Sequence, residues 1–471
     1  MTSLSETSLL AGSSGVTSGY TIDQSIRFNA ADNAYMHRTP SSTGNRKTFT
    51  SSFWVKLGNV EVNTSLPTPQ VTHGVGSSGL ALVANEGTLT AYTYYSGSWS
   101  GFLKTNRRFR DPSAWYHFVY IVDSTQAVAS ERIRIYVNGV RETSFSTESY
   151  LAQNQDTDWN LSGEKMWIGR DGGGSGYDGE YYAAEIHWLD GYAYGPEYFG
   201  EFKEDTDIWI PKEYTGSYGT NGFKIDGRDS SDLGDDESGN GNDFTTSGLA
   251  AHDQVLDTPT NSFNTMNPLN PLNDGTLSNG NLKNVLSGDD QFYTTQELAF
   301  KSYCEVRVDA LSNYGGTLGL GTFGGDDDDN TLVFQTNYLS GYIWLNGGNA
   351  SANIGGTVSA GNIIMMAYDP ATRKWWVGVN GTWRNSGDPA GGTGQVYQHS
   401  ATDFALGIGA IVWGGWKGSA NGLTVTWNFG QDGTFGGQET AGGNSDSNGV
   451  GNFKYSVPSG FLANCTKNLG S

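Results

Sequence analysis

Short apolar runs recur along this chain, and turn residues separate them. In residues 48–56, Phe49, Phe53 and Val55 fall on one face of a strand and polar residues fall mostly on the other. Residues 115–122 are aromatic or β-branched on both faces, which is typical of a strand that is covered on both sides. The pattern predicts strands throughout the first part of the chain.

A hairpin signal and two further runs complete this first block. Residues 132–140 form a strand that runs into Asn138-Gly139, a dipeptide that supplies the positive φ of a type I′ turn. Further strand runs lie at 166–169 and 181–189. We expect one antiparallel β-sandwich over residues 23–203.

A second all-β block covers residues 286–435. Its turns are predicted at Asn346-Gly347, Asn380-Gly381 and Asn421-Gly422. Its strand candidates are residues 303–308, 317–321, 332–335, 341–345, 363–368, 375–379, 404–411 and 423–429. A second sandwich is the natural interpretation, and residues 436–471 follow it as a Gly-rich segment with a closing strand.

The segments outside the two blocks lack a core pattern. Residues 1–22 are rich in Ser, Thr and Gly, which predicts a disordered N-terminal arm that a partner chain would order. Residues 204–285 read as an irregular connector, because residues 226–243 carry seven acidic side chains and one basic one. The predicted fold class is all-β, with two antiparallel jelly-roll-type sandwiches joined by this acidic connector.

Composition supports that fold class and excludes several functions. The 471 residues include 67 glycines, 13 % aromatic residues and 16 % charged residues, which suits many short strands and opposes long helices. The net charge of −22 opposes binding to nucleic acid or to an anionic membrane. We find neither a membrane-length apolar run nor the charged start of a secretory signal.

Cys304 and Cys465 are expected to be unpaired thiols, with one bridge between them as the alternative.

Five runs in the first block share a known pattern: residues 25–29 (Ser-Ile-Arg-Phe-Asn), 49–56, 115–119 (Trp-Tyr-His-Phe-Val), 135–139 and 167–169. Through them the block resembles the laminin-G-like, concanavalin-A-type jelly roll. The second block is similar to SPRY-type sandwiches, through residues 303–306, 318–321, 366–369, 375–381 and 425–430. These sandwiches host lectins, hydrolases and spacers, so the fold alone does not decide the function.

The order of several other segments resembles that of tailed-phage virion proteins, often from marine phages, of the tail-fibre or head-fibre type. The segments are residues 38–47, 211–223, 238–244 and 457–463. This resemblance implies a virion structural or receptor-recognition protein that is made in the host cytoplasm and not secreted. It transfers no catalytic residue.

Catalysis is not expected. Retaining glucanases on this fold need Glu, Asp and Glu on one strand, and the nearest match here is Glu185-Ile-His-Trp-Leu-Asp190. His187 stands in the place of the middle carboxylate, and Asp190 would face the other way without a bulge. We interpret this strand as a closing strand of the sandwich.

Metal sites have two weak candidates, and no other cofactor is expected. Asp326 and Asp328 belong to a run of four aspartates, and Asp171 and Asp178 flank a glycine-rich loop. Ca²⁺ takes several such oxygens. Runs of like charge are usually solvated, so the alternative is a loop without metal.

Clustered aromatic residues are the candidate ligand site. Tyr92, Tyr94, Tyr95 and Trp99 lie close together in the sequence among Ser and Gly. Trp413 and Trp416 form a comparable turn in the second block. Aromatic faces stack on the C–H faces of sugars, whereas the alternative is that these rings fill a core or a subunit interface.

We therefore expect a virion fibre or appendage subunit that recognises host-surface glycans without catalysis. The arm would bind other virion proteins, and the resemblance to fibres suggests a homotrimer. The alternative is a purely structural decoration or adaptor protein, and a polysaccharide-degrading enzyme ranks third.

Overall fold

The computed structural model describes residues 19–58, 69–75, 78–83, 87–96, 98–170, 179–269, 275–287, 290–312, 316–322, 331–335, 343–345, 348–349, 358–400, 408–413 and 422–469. Of the expected N-terminal arm, only residues 19–22 fall within these ranges. The chain divides into two compact units, an N-terminal unit that ends at Thr260 and a C-terminal unit that spans Asn261–Ser471.

The strands of the N-terminal unit are β1 (Ser25–Phe28), β2 (Tyr35–Arg38), β3 (Thr48–Leu57), β4 (Pro69–Val75), β5 (Ser78–Val83), β6 (Thr88–Tyr95), β7 (Ser98–Arg108), β8 (Trp115–Asp123), β9 (Ile133–Val137), β10 (Val140–Arg141), β11 (Phe145–Ser149), β12 (Met166–Ile168), β13 (Tyr181–Asp190), β14 (Gly200–Phe202), β15 (Trp209–Pro211), β16 (Phe223–Ile225), β17 (Thr245–Ser247) and β18 (Gln254–Val255). Short 3₁₀ turns lie at Ala30–Asp32, Ala129–Glu131, Pro196–Tyr198 and Ala251–Asp253.

Two antiparallel sheets make a sandwich in this unit. Sheet A has the order β10-β9-β8-β3-β13-β1-β18, with β16 paired to β13, and sheet B has the order β11-β7-β6-β5-β4-β12-β2-β17. The core between them takes inward residues of both sheets, for example Phe49, Phe118 and Trp188 from sheet A and Ala91 and Ile168 from sheet B. The prediction of a sandwich is confirmed for this block.

The outer face of sheet A is covered as well. Phe118, Tyr120 and Val122 of β8 point into the sandwich core, whereas Val119 and Ile121 pack under a second apolar layer. That layer is supplied by residues that follow β13, including Phe199 and Tyr214. This second layer explains why β8 is apolar on both faces.

Residues 204–260 belong to the N-terminal unit, which differs from the connector expected at 204–285. Phe223, Ile225, Leu233 and Phe244 enter the sandwich core. Carboxylates of the acidic run bond to nearby amides and cations; for example, the side chain of Asp236 accepts from the backbone N–H groups of Lys224, Ser238 and Asn242. Turn-forming aspartates thus fix the backbone while a few dispersed apolar residues anchor it.

The C-terminal unit contains β19 (Thr276–Ser278), β20 (Lys283–Ser287), β21 (Gln291–Tyr293), β22 (Ser302–Ser312), β23 (Thr317–Thr322), β24 (Thr331–Gln335), β25 (Ile343–Leu345), β26 (Gly348–Asn349), β27 (Ile363–Asp369), β28 (Lys374–Val379), β29 (Thr382–Trp383), β30 (Tyr397–Gln398), β31 (Ile408–Trp413), β32 (Gly422–Asn428) and β33 (Leu462–Ala463). Its 3₁₀ turns are Arg384–Ser386 and Thr466–Asn468.

Two sheets again enclose a core. Sheet C has the order β19-β20-β32-β22-β27-β28-β29, with β30 beside β28 and β33 parallel to β22, and sheet D has the order β21-β31-β23-β24-β25-β26. Val306, Trp375 and Trp427 of sheet C pack in one cluster with Leu318 and Val412 of sheet D. The second predicted sandwich is therefore present.

Buried acidic side chains fasten the closing segment to this core. Glu305 on β22 accepts from the backbone N–H groups of Lys454 and Tyr455, both over 2.8 Å. Asp446 accepts from the backbone N–H groups of Val450 and Ala463 over 2.9 Å. Residues 436–469 are thus an integral part of the C-terminal unit.

Cys304 and Cys465 are buried free thiols, as expected. Among the described residues, no helix is long and apolar enough to span a membrane.

Candidate functional site

The β6–β7 hairpin at one end of sheet B carries the predicted aromatic residues. Leu89, Ala91 and Thr93 are buried beneath it, and Tyr92 and Tyr94 alternate with them on the outer face of the sheet. A bulge between Thr93 and Tyr94 shifts the register with β7. The strand period of two therefore directs these rings outward rather than into the core.

The rings on this face form a contiguous group. The Trp99 ring centroid lies 5.3 Å from that of Tyr92, 5.3 Å from that of Tyr94 and 5.6 Å from that of Phe102, all in edge-to-face geometry. We call these four residues, Tyr92, Tyr94, Trp99 and Phe102, the aromatic patch. Trp99 is 59 % exposed, which makes it one of the most exposed large apolar side chains in the described residues.

Polar groups border the aromatic patch. Tyr95 follows Tyr94 on the hairpin, and the Arg46 guanidinium lies 5.7 Å from its ring centroid. Arg46 is itself held by Asp156 at 3.6 Å and Asp158 at 3.5 Å. An exposed apolar surface with a few fixed polar groups at its edge is the usual composition of a sugar-binding site.

The second aromatic candidate, the turn with Trp413 and Trp416, lies only in part within the described residues. Trp413 ends β31, where its backbone pairs with those of Gln291 and Thr317. Trp416 lies outside the described residues. The structure therefore brings together three of the six predicted ligand-binding residues, namely Tyr92, Tyr94 and Trp99, whereas the Tyr95 ring lies beside Arg46.

The predicted calcium positions Asp171, Asp178, Asp326 and Asp328 also lie outside the described residues. Within the ranges that the structure describes, no group of three or more His, Cys, Asp or Glu side chains is arranged to hold a metal ion.

A buried polar cluster lies on the opposite side of the N-terminal unit, on the outer face of sheet A. Glu185 occupies a bulge in β13 with φ +49°, and its carboxylate accepts from His187 Nε2 over 3.2 Å. Lys224 Nζ lies 3.2 Å from the same carboxylate, and Tyr218 bonds to His187 Nδ1 over 2.9 Å. Hydrogen bonding by His187, together with the positive charges of His187 and Lys224, outweighs burial and lowers the Glu185 pKa to about 2.

His117 stands next to this cluster with both ring nitrogens occupied. Trp209 Nε1 can only donate, and it lies 3.0 Å from His117 Nδ1, so Nδ1 is the acceptor. Nε2 therefore carries the proton and donates to Ser52 Oγ over 2.8 Å. Burial lowers the His117 pKa to about 3, which keeps the ring neutral at ordinary pH.

The arrangement does not suit glycoside hydrolysis. A general acid needs a carboxyl group with a raised pKa, whereas Glu185 is held ionised. Asp190 does not reach this face; it accepts from the Asn45 backbone N–H over 2.7 Å and from Asn160 Nδ2 over 2.6 Å. A narrow cleft adjoins the cluster, and its wall includes Tyr20, Phe199 and Lys212.

Sequence reasoning placed Glu185 and His187 on one face, which the structure confirms, but it missed the groups that surround them. Tyr218 and Lys224 come from the segment that was expected to be a connector. The sequence did contain a signal that this segment packs onto the sandwich, because the stretch before Tyr218 is rich in aromatic residues, which are typical of a packed segment. These residues are Tyr192, Tyr194, Tyr198, Phe199, Phe202, Trp209 and Tyr214.

Similar solved structures include the SPRY domain of human HERC1, at 16 % identity and a TM-score of 0.25, over 32 % of this chain and 91 % of that chain. A SAP-like pentraxin from Limulus polyphemus shows 14 % identity and a TM-score of 0.26, over 37 % and 78 %. Domains LG4-5 of the mouse laminin α1 chain show 10 % identity and a TM-score of 0.29, over 87 % and 90 %.

No curated protein sequence matches the chain. A Laminin G family model, described as the concanavalin A-like lectin/glucanases superfamily, matches residues 29–188. This match covers both sheets of the N-terminal sandwich from β2 to β13, so the N-terminal unit carries a laminin-G-like, concanavalin-A-type jelly roll.

Proposed function

We propose that this protein is a non-catalytic, glycan-binding subunit of a tailed-phage fibre or appendage. The single observation that supports binding is the aromatic patch, where Trp99 is 59 % exposed and contacts three further rings. An apolar ring of this size costs free energy when it faces water, and a sugar face would offset that cost.

The virion setting rests on the segment order described under Sequence analysis. In the proposed phage particle, the N-terminal arm binds other virion proteins, and the protein assembles as a homotrimer. Single sugar sites bind weakly, and several copies on one particle would raise the effective concentration of sites at a cell surface.

Absence of catalysis is part of the proposal. It is supported by the state of Glu185, which is ionised and paired with the Lys224 ammonium group at 3.2 Å instead of being a protonated acid. The buried histidines bond to protein groups on both nitrogens and present no base to a ligand.

The test uses the full chain and a printed array of bacterial and algal polysaccharides. Wild type should bind a defined subset, and Trp99→Ala should lose at least about fivefold in affinity, because one stacked ring is worth about 1 kcal/mol. Tyr198→Ala is the matched control, since Tyr198 is also an exposed aromatic residue, at 43 %, but lies in the cover of sheet A.

Electron microscopy of intact phage particles that carry the labelled protein tests separately whether the protein belongs to a fibre or appendage. Attachment of the label to a fibre or appendage supports it. If wild type binds no polysaccharide and the label lies within the particle wall with Trp99 against a neighbour, the protein is a structural decoration or adaptor protein instead.

A further inference from the structure

The aromatic patch occupies one end of a row that crosses six of the eight strands of sheet B, from β7 to β2. Strand register places Phe102 beside Tyr92, Tyr92 beside Gly79, Gly79 beside Gly74, and Gly74 beside Trp167. His37 on β2 continues the row next to Trp167. The row therefore begins and ends in aromatic side chains, with two glycines between them.

The neighbouring row confirms that this one faces outward. The residues of the neighbouring row lie one position along each strand, and all of them are buried in the sandwich core: Leu103, Ala91, Leu80, Ile168 and Met36. Because side chains alternate between the faces of a strand, the row from Phe102 to His37 must lie on the opposite face.

Trp167 is the centre of a second aromatic group at the far end of the row. Its ring centroid lies 5.0 Å from that of His37 and 5.6 Å from that of Tyr35. Lys165 Nζ lies 5.1 Å from the Trp167 ring centroid. Trp167 is half-buried, so part of its surface faces solvent.

The two glycines add no side chain to the row between the groups. Gly79 lies beneath the Tyr92 ring, since a Cβ at this position would come 2.7 Å from the Tyr92 hydroxyl oxygen. Gly74 adds no side chain on the next strand. Tyr92 and Trp167 are three strands apart, which corresponds to about 14 Å between their backbones.

We infer that the outer face of sheet B binds an extended oligosaccharide, which runs from the aromatic patch across Gly74 to Trp167. A sheet face with ring groups at two places about three strands apart fits a linear chain of several sugars better than a single terminal sugar, because one sugar contacts only one of the ring groups. This inference rests on the proposed glycan binding and extends it from one group of rings to two.

The test compares chain lengths of the polysaccharide that binds best on the array, cut into disaccharides and hexasaccharides. Calorimetry should show that Trp167→Ala weakens hexasaccharide binding about fivefold to tenfold and leaves disaccharide binding unchanged. Trp99→Ala should weaken both. Tyr198→Ala is again the matched control and should change neither.

Gly74→Thr is the second variant, because it adds a side chain between the two ring groups with a residue that suits a strand. It should weaken the hexasaccharide and spare the disaccharide, with thermal unfolding of each variant measured alongside. If Trp99→Ala loses binding but Trp167→Ala and Gly74→Thr bind the hexasaccharide like wild type, the extended site is refuted and the proposed function stands. If wild type binds no saccharide, both are refuted.

Discussion

Lys56 Nζ donates to Asp257 Oδ2 over 2.7 Å, and both side chains are completely inaccessible to solvent. Lys56 belongs to central strand β3, whereas Asp257 follows β18, 201 residues later. Asp257 also accepts from Trp115 Nε1 over 3.0 Å. The Asp257 carboxylate thus connects strands β3 and β8 of the jelly roll to the segment that completes the N-terminal unit.

Asp257→Ala should destabilise the N-terminal unit by about 3–5 kcal/mol, because it removes the carboxylate that pairs with a buried ammonium group. The measurement is the free energy of unfolding in urea. Glu131→Ala, which removes a half-exposed partner of Arg141, should cost less than about 1 kcal/mol. Combining Lys56→Met with Asp257→Leu should recover much of the loss, and a double variant as unstable as Asp257→Ala would contradict this account.

Stability should fall as the pH is lowered below neutrality. The His117 pKa is about 3 in the folded protein and ordinarily 6.5, so the unfolded chain binds more protons between these values. This contribution is complete well above pH 6.5 and declines toward pH 3; the change from pH 6.5 to 4.5 is about 2 kcal/mol. Glu185, with a pKa of about 2 instead of 4.5, adds a further loss below pH 4.5.

Urea unfolding between pH 7.5 and 4 measures this dependence. His117→Gln removes the titrating ring and should flatten the curve between pH 6.5 and 4.5, even if its stability at pH 7.5 is lower. An unchanged slope in this variant would show that His117 does not carry the effect.

The fragment 19–260 should fold alone and the fragment 19–203 should not. Ending at residue 203 removes Phe223, Ile225, Leu233 and Phe244 from the core, at about 2 kcal/mol for each buried side chain. That sum is comparable to the whole stability of a typical domain. Cooperative thermal unfolding of 19–260 is the expected result, and a cooperative transition for 19–203 would contradict the assignment.

Gly139→Ala should destabilise the hairpin between β9 and β10 by about 2 kcal/mol or more. Gly139 has φ +79°, and a Cβ there would lie 2.4 Å from the Trp209 ring. Gly163→Ala is the matched control, because Gly163 has φ +83° with no atom within 4 Å of its Cβ position. It should show only the backbone cost of about 1 kcal/mol. The measurement is the urea midpoint, and equal losses in the two variants would exclude the clash with Trp209.

Much of the fold follows from local sequence alone. The period of two in β3 predicted that Phe49, Phe53 and Val55 share one face, and all three lie in the core, because alternation is a property of the extended chain. Asn138 and Gly139 have the positive φ values that their dipeptide predicted, at 48° and 79°. Clustering in sequence likewise found Tyr92, Tyr94 and Trp99, since a hairpin brings near neighbours together.

Tertiary structure alone decided the rest. The segment after residue 203 looked like a connector because its apolar residues are sparse, yet Phe223, Ile225, Leu233 and Phe244 enter a core that the strands before it create. The buried pair Lys56–Asp257 and the row from Tyr92 to Trp167 join residues far apart in sequence, and only strand order and register bring them together. Local pattern fixes which way a side chain points from its own strand, but which strand lies beside it depends on packing across the whole unit.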